Sequence, residues 1–550
     1  MSLATHPDRV GKLGLAALHE RYRSGALTPA DVVDTVLARI TARADDHVWI
    51  SRVADADLRA AAAALDPRRI DELPLYGVPF AVKDNIDVAG MVTTAGCPDF
   101  GYEARSDAPL VRSLVDAGAL LVGKTNLDQF ATGLSGARSP YGVPSSAHDP
   151  MLVSGGSSSG SAVAVAAGLV SFAIGTDTAG SGRVPAALNG VVGLKPSIGL
   201  VSAVGMVPAC RSLDCASVFA ESVGDASAVL RVVARFDRAD PWSRPLPVPP
   251  VLPAVVQLEG LRIGVPSSIT GWGERGEREA WTTYLELLAA AGAELVDLDL
   301  GEFLEAGTQL YQGAWVAERL HGLEELVRDR PGSVLPVIRA VLEPGQAVRG
   351  VDTFAALTRM RELSQSTHAV LGSVDVLLTP TVTETFTIEE MLADPIALNS
   401  RLGTFTTFTN LLDLCAVALP AGGPEGAPFG VTVQAVAGRD GFALSVADAL
   451  ERLQSGAPTT CSSPSSALTC AACRCTPTWS RGERSSCSAR PPRRLTACSR
   501  SRARCRPSPV CSGSAPGEPR SRSRSTGCRA TRSGAFSRRS PRRWPSARSG

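Results

Sequence analysis

Gly155-Gly156-Ser157-Ser158-Ser159-Gly160, followed by Gly175-Thr176-Asp177-Thr178-Ala179-Gly180-Ser181, sets small hydroxyl side chains on glycine turns. A serine hydroxyl attacks only when a base takes its proton. No histidine occurs between Pro150 and Leu320, so a Ser/His/Asp arrangement has no local support. Lys83 is the alternative. It closes Gly77-Val78-Pro79-Phe80-Ala81-Val82-Lys83, an apolar run that reads as a buried strand delivering one polar side chain. Desolvation disfavours the ammonium form, so a buried lysine ringed by hydroxyls accepts a proton near pH 7. A lone lysine is more commonly exposed or salt-bridged. The glycine-serine run, taken alone, also suits a flexible linker or a phosphate-binding loop. A small apolar helix follows it at once, however, and the lysine of G-x-x-x-x-G-K-[ST] is missing after Gly160.

Together these residues resemble the amidase signature hydrolases. That family's G-G-S-S-[GS]-G segment is met by Gly155 to Gly160, its G-T-D-x-[GA]-G-S segment by Gly175 to Ser181, and its V-K-D by Val82-Lys83-Asp84. The resemblance implies Ser181 as nucleophile, Ser157 as a serine in a cis peptide that relays its proton, and Lys83 as the ultimate base. It also implies an oxyanion hole built from the amides of Thr178, Ala179 and Gly180, joined by that of Ser181, because the Ala-Gly turn lets these donors converge. The helix opening at Ser159 presents an N-terminus that favours developing negative charge. Asp177 and Arg183 read as an ion pair bracing the loop. Asn126, Asp128 and Gln129 either line the pocket or cap a helix.

Within the family, the resemblance is to the allophanate hydrolases, carried by Gly123-Lys-Thr-Asn-Leu-Asp-Gln-Phe-Ala-Thr-Gly133, Val207-Pro-Ala-Cys-Arg-Ser-Leu-Asp-Cys215 and Tyr311-Gln-Gly-Ala-Trp-Val-Ala-Glu-Arg319. It implies that Tyr311 and Arg319 grip the carboxylate of a small anionic substrate. An arginine fork suits a planar carboxylate. Read without the resemblance, two positions eight apart on one helix face also describe a core edge with a snorkelling cation. The implied reaction is hydrolysis of allophanate (urea-1-carboxylate) to ammonia and carbon dioxide in urea degradation, without a metal or an organic cofactor. The alternatives are a broader-specificity amidase and a glutaminase-type amidotransferase subunit. The resemblance further implies a homodimer and a functional link to a biotin-dependent urea carboxylase.

Residues 13–44 read as an amphipathic helical opening, with Thr28-Pro29-Ala30-Asp31 starting a second helix. Strands alternate with helical segments from Leu75 to Val233, which argues α/β layers. Pro241 to Pro250 is a proline-rich extended crossing. Beyond it, strands are expected at Leu261 to Val265, Glu294 to Leu298, Val374 to Leu378 and Phe429 to Val433, with a helix from Glu277 to Ala291. The expected fold is an α/β/α sandwich around a large mixed sheet, spanning residues 1–453, with the site at one sheet edge. No apolar run reaches the ~20 residues of a membrane span, and a sparse cysteine set of Cys97, Cys210, Cys215 and Cys415 fits reduced thiols in a cytoplasmic protein. Packing explains Cys210 and Cys215 better than a redox pair does.

Composition breaks after Leu453. Residues 454–550 hold twenty arginines, no lysine, two acidic residues and nine of the thirteen cysteines, giving a net charge near +18 against −17 for residues 1–453. A zinc site at Cys470, Cys473, Cys475 and Cys487 lacks any periodic apolar pattern to organise it. An arginine-rich nucleic-acid-binding segment is the other functional reading. The absence of Lys, Asn, Ile, Tyr and Met, whose codons are AT-rich, favours a frameshifted, disordered tail in place of the family's C-terminal domain.

Overall fold

The computed structural model describes residues 10–43, 46–250, 254–423 and 427–456. The expectations for the arginine-rich segment fall outside these residues from position 457 onward. The last described helix, Asp440–Ser455, runs two residues past the compositional break and ends at Gly456 in the left-handed conformation.

Thirteen strands are present among the described residues. In chain order they are β1 (Trp49–Arg52), β2 (Pro79–Lys83), β3 (Val92–Thr93), β4 (Tyr102–Glu103), β5 (Leu120–Thr125), β6 (Phe172–Asp177) and β7 (Val192–Lys195). There follow β8 (Cys215–Ala220), β9 (Arg262–Pro266), β10 (Glu294–Leu298), β11 (Val376–Pro380), β12 (Leu414–Pro420) and β13 (Gly430–Val436). Eleven of them form one mixed sheet in the order β1-β5-β2-β6-β8-β7-β12-β13-β11-β9-β10, and β3 and β4 make a separate ribbon. β2 runs parallel to both β5 and β6, whereas β6 and β8 are antiparallel.

The strand pleat builds the two layers. Phe80 and Val82 of β2 enter a core shared with helices Val223–Val233 and Asp440–Ser455, and the Phe80 ring stacks on Phe172 of β6 at 5.3 Å. Ala81 points the other way, into a core closed by helices Pro29–Ala42 and Ser159–Ala166. Lys83 falls on the Ala81 face because side chains alternate along a strand. The same alternation sends Ile174 to the first core and Ala173 to the second.

Local signals predicted from sequence hold at several elements. Thr28 and Asp31 form a reciprocal capping box with Pro29 in the first turn. Strand β10 matches its expected span and helix Glu277–Ala290 falls one residue short of its own, while β11 lies two residues later than expected and β13 starts one residue later and ends three later. One placement differs. The expected site residues Lys83 and Ser181 do not lie at an edge of the sheet; β2 and β6 are its third and fourth strands. Edge and interior strands cannot be told apart here from sequence, because the chain returns antiparallel through β8 and β7 before the second half of the sheet is added. Among the described residues, no helix is long and apolar enough to cross a membrane.

Candidate active site

Two neighbouring parallel strands end side by side and bring their last residues together. Lys83 Nζ at the end of β2 lies 2.7 Å from Thr176 Oγ1 on β6 and 2.8 Å from Ser157 Oγ. Ser157 Oγ lies 2.9 Å from Ser181 Oγ. Lys83 is fully buried and Ser181 is 2% exposed. Burial pulls the Lys83 pKa down to about 7, against the opposing pull of the Asp128, Asp214 and Asp177 carboxylates. At pH 7 an ordinary lysine is neutral in roughly one molecule in three thousand, whereas a pKa of about 7 leaves about half neutral. The neutral amine still donates to Thr176 while its lone pair accepts from Ser157, and Ser157 is then free to accept from Ser181. The contacts form one proton path of two steps.

Ser157 follows a cis peptide bond from Gly156. Its carbonyl accepts from the Asp128 N–H at 3.1 Å, and Gly156 sits so close to the Asp128 carboxylate that an added Cβ would collide with it. The Asp128 carboxylate accepts from the Gly136 and Arg138 amides at 3.1 and 2.8 Å, and burial raises its pKa. Asn126 holds the His47 and Gly142 carbonyls, and Gln129 bridges Ser333 and Leu335. All three side chains therefore brace loops, and none caps a helix.

The loop that carries Ser181 is held by Asp177. Its carboxylate takes two 2.9 Å bonds from the Arg183 guanidinium, whose remaining donors reach Thr406, Thr409 and Asn410. Burial pushes the Asp177 pKa up, but the Arg183 charge and these bonds outweigh it and leave it below the usual carboxylate range. Asp177 also accepts from the Gly180 N–H at 2.9 Å and from the Gly182 N–H at 3.0 Å. The first of these is the amide of an expected oxyanion donor. The Gly180 amide is already committed, whereas the Thr178, Ala179 and Ser181 amides have no acceptor among the described residues. Gly180 instead supplies a φ of +123° where any Cβ would collide with the Thr406 side chain. The Thr178 hydroxyl donates to Asp214, a carboxylate whose pKa burial raises and which also accepts from the Ala209 and Cys210 amides.

Tyr311 is the last residue but one of helix Gly301–Gln312, and Arg319 lies on the short helix Trp315–Leu320. The guanidinium carbon of Arg319 sits 4.7 Å over the Tyr311 ring. Its Nη atoms reach the Tyr311 and Thr132 hydroxyls at 3.4 Å each, and its buried Nε has no acceptor. No carboxylate lies within ion-pairing distance of this 2% exposed side chain among the described residues. Arg138, which the sequence did not single out, bonds the carbonyls of Thr132 and Pro395 nearby. Cys210 and Cys215 are not paired: the Cys210 thiol donates to Glu318 and the Cys215 thiol to the Asp177 carbonyl.

The amidase family profile matches residues 31–444. The urea amidolyase of Lachancea kluyveri is 43% identical over 417 residues, covering 74% of this chain and 23% of that protein. Thus the chain spans about a quarter of that relative's length. A glutamyl-tRNA(Gln) amidotransferase subunit from Chloroflexus aggregans is 33% identical over 470 residues, covering 80% of this chain and 96% of that protein. Among solved structures, selenomethionine-substituted Kluyveromyces lactis allophanate hydrolase superposes with a TM-score of 0.73 at 38% identity, over 79% of this chain and 72% of that one.

Proposed function

This chain belongs to the amidase signature family, and from that premise we propose that it hydrolyses allophanate, a small amide that carries a carboxylate. The observation that carries the substrate reading is Arg319. A guanidinium is permanently charged, and burying it without a partner is costly. Its two hydrogen bonds are long and go to neutral hydroxyls, and its other contact is the face of the Tyr311 ring, so a planar carboxylate supplies the direct ion-pair partner and the stronger acceptors. The relatives named for allophanate hydrolase and urea amidolyase agree with this substrate.

In the proposed reaction Ser181 Oγ attacks the amide carbonyl carbon. Its proton passes to Ser157, and the Ser157 proton passes to neutral Lys83. The carbonyl π pair moves onto oxygen, where the free amides of Thr178, Ala179 and Ser181 receive it. Collapse breaks the C–N bond, and the proton held on Lys83 returns through Ser157 to the leaving nitrogen, which departs as ammonia. Water then cleaves the Ser181 ester by the same relay, and the carboxylated product goes on to lose carbon dioxide. An enzyme that carboxylates urea would supply the substrate.

Ammonia release from allophanate, glutamine and a neutral amide of similar size tests the proposal on the purified chain. Allophanate should be preferred, Ser181→Ala should abolish turnover without altering the melting temperature, and Arg319→Ala should lower kcat/KM by roughly 10²-fold on allophanate but little on the neutral amide. Preference for glutamine would favour a glutaminase, a reading supported by the near-complete coverage of the amidotransferase relative.

A further inference from the structure

We propose that Glu318 is a positioning residue that ties Arg319 to the loop bearing the oxyanion donors; this rests on the role given to Arg319 above. Helix Trp315–Leu320 has six residues and follows a break at Gly313. So short a helix has little stability of its own, and its orientation depends on tertiary contacts. Val316 and Leu320 anchor it through burial. Glu318 fixes it by polar contacts, accepting from the Ser212 N–H at 2.7 Å, the Ser212 hydroxyl at 2.6 Å and the Cys210 thiol at 3.1 Å.

The turn that Glu318 grips from one side is gripped from the other by Asp214. Asp214 accepts from the Ala209 amide at 2.8 Å, the Cys210 amide at 3.1 Å and the Thr178 hydroxyl. Thr178 stands three residues before Ser181. A continuous run of hydrogen bonds to two carboxylates therefore links the residue beside Arg319 with the first of the free amides. Bonds to a carboxylate are stronger than those between neutral groups, and the run fixes the distance from the anion anchor to the reacting carbonyl. Among the described residues, no cation lies within ion-pairing distance of Glu318, so its acceptors serve the turn.

A double-mutant cycle on the full chain tests this. Glu318→Gln keeps the shape but removes the charge, and it should raise KM for allophanate by about 10-fold and lower kcat several-fold, because a displacement of about 1 Å is enough for such losses. KM for a neutral amide should stay within about twofold of wild type. With Arg319→Ala already present, adding Glu318→Gln should leave the allophanate KM unchanged within about twofold, since the two residues act as one unit. Glu318→Asp, which keeps the charge, should recover part of the loss, and it replaces the glutamine variant in the cycle if that variant fails to fold.

Undiminished effects of Glu318→Gln in the Arg319→Ala background would overturn the proposal, as would a Gln variant with wild-type kinetics. If Arg319→Ala harms neutral and anionic substrates equally, the substrate reading itself fails and this inference fails with it. The single variant therefore separates the two failures.

Discussion

Lys83→Met exchanges the buried amine for an apolar side chain of similar length, and its effect on stability should depend on pH in a way that reports the charge of the lysine. The unfolded chain binds the lysine proton with a pKa near 10.4, whereas the folded chain binds it with a pKa of about 7. A lysine pKa lowered by folding means that the unfolded state holds more protons between those values, so wild-type stability rises with pH across that window. The buried amine costs the fold about 4 kcal/mol at pH 7 and about 2 kcal/mol at pH 9. Methionine carries no such dependence. The variant also removes the lysine contact of Ser157 and Thr176 and repacks the site, but neither change titrates here, so both drop out of a difference between two pH values. Urea unfolding of both proteins at pH 7, 8 and 9 should therefore show the wild type gaining about 2 kcal/mol on the variant. The variant should also lose roughly 10²- to 10⁴-fold in rate, as expected when a general base is removed. Parallel pH dependences would mean that Lys83 is charged in the folded protein at neutral pH, and the proton path drawn through it would then be wrong.

Gly180→Ala should destabilise the protein by about 2 kcal/mol, since the backbone conformation is unfavourable for alanine and the new methyl meets Thr406; thermal melting checks this. The same variant should slow turnover by roughly 10²-fold by displacing the neighbouring amides. Glu451 lies beside Asp448 and Asp225, and burial raises its pKa from the usual range to about 7. A carboxyl whose pKa rises on folding holds a proton that the unfolded chain releases, so it lowers stability as pH climbs from about 4.5 to 7. Glu451→Gln should therefore gain on wild type by on the order of 1–2 kcal/mol between pH 5 and 8, allowing for screening of a partly exposed group; chemical denaturation at the two pH values would expose any opposite trend.

The meeting of Lys83, Ser157 and Ser181 was legible because each part has a short-range signature: an apolar strand ending in lysine, a glycine-serine turn opening a small-residue helix, and a second strand running into Ala-Gly-Ser. The Asp177 brace was equally local, since Arg183 is only six residues away. The commitment of the Gly180 amide was legible in principle, because an aspartate three residues before a backbone N–H is well placed to accept from it. Glu318, Asp214 and Arg138 were different. Glu318 meets a turn 106 residues away, Asp214 meets Thr178 across 36 residues, and no periodicity or motif records such pairings. The depth of β2 and β6 within the sheet was hidden for the same reason, being set by strands that join from later in the chain.

Lys83, Ser157 and Ser181 come from one span of about a hundred residues, at the end of β2, ahead of helix Ser159–Ala166 and just past β6, whereas Tyr311 and Arg319 belong to the helical excursion between β10 and β11. On the proposed reading, bond-breaking chemistry and the choice of what is broken are thus written in separable passages of the chain. Exchanging residues 301–371 for the corresponding excursion of another family member then offers a route to a new substrate that leaves Lys83, Ser157 and Ser181 where they stand, provided the graft preserves a partner for the Cys210–Ser212 turn.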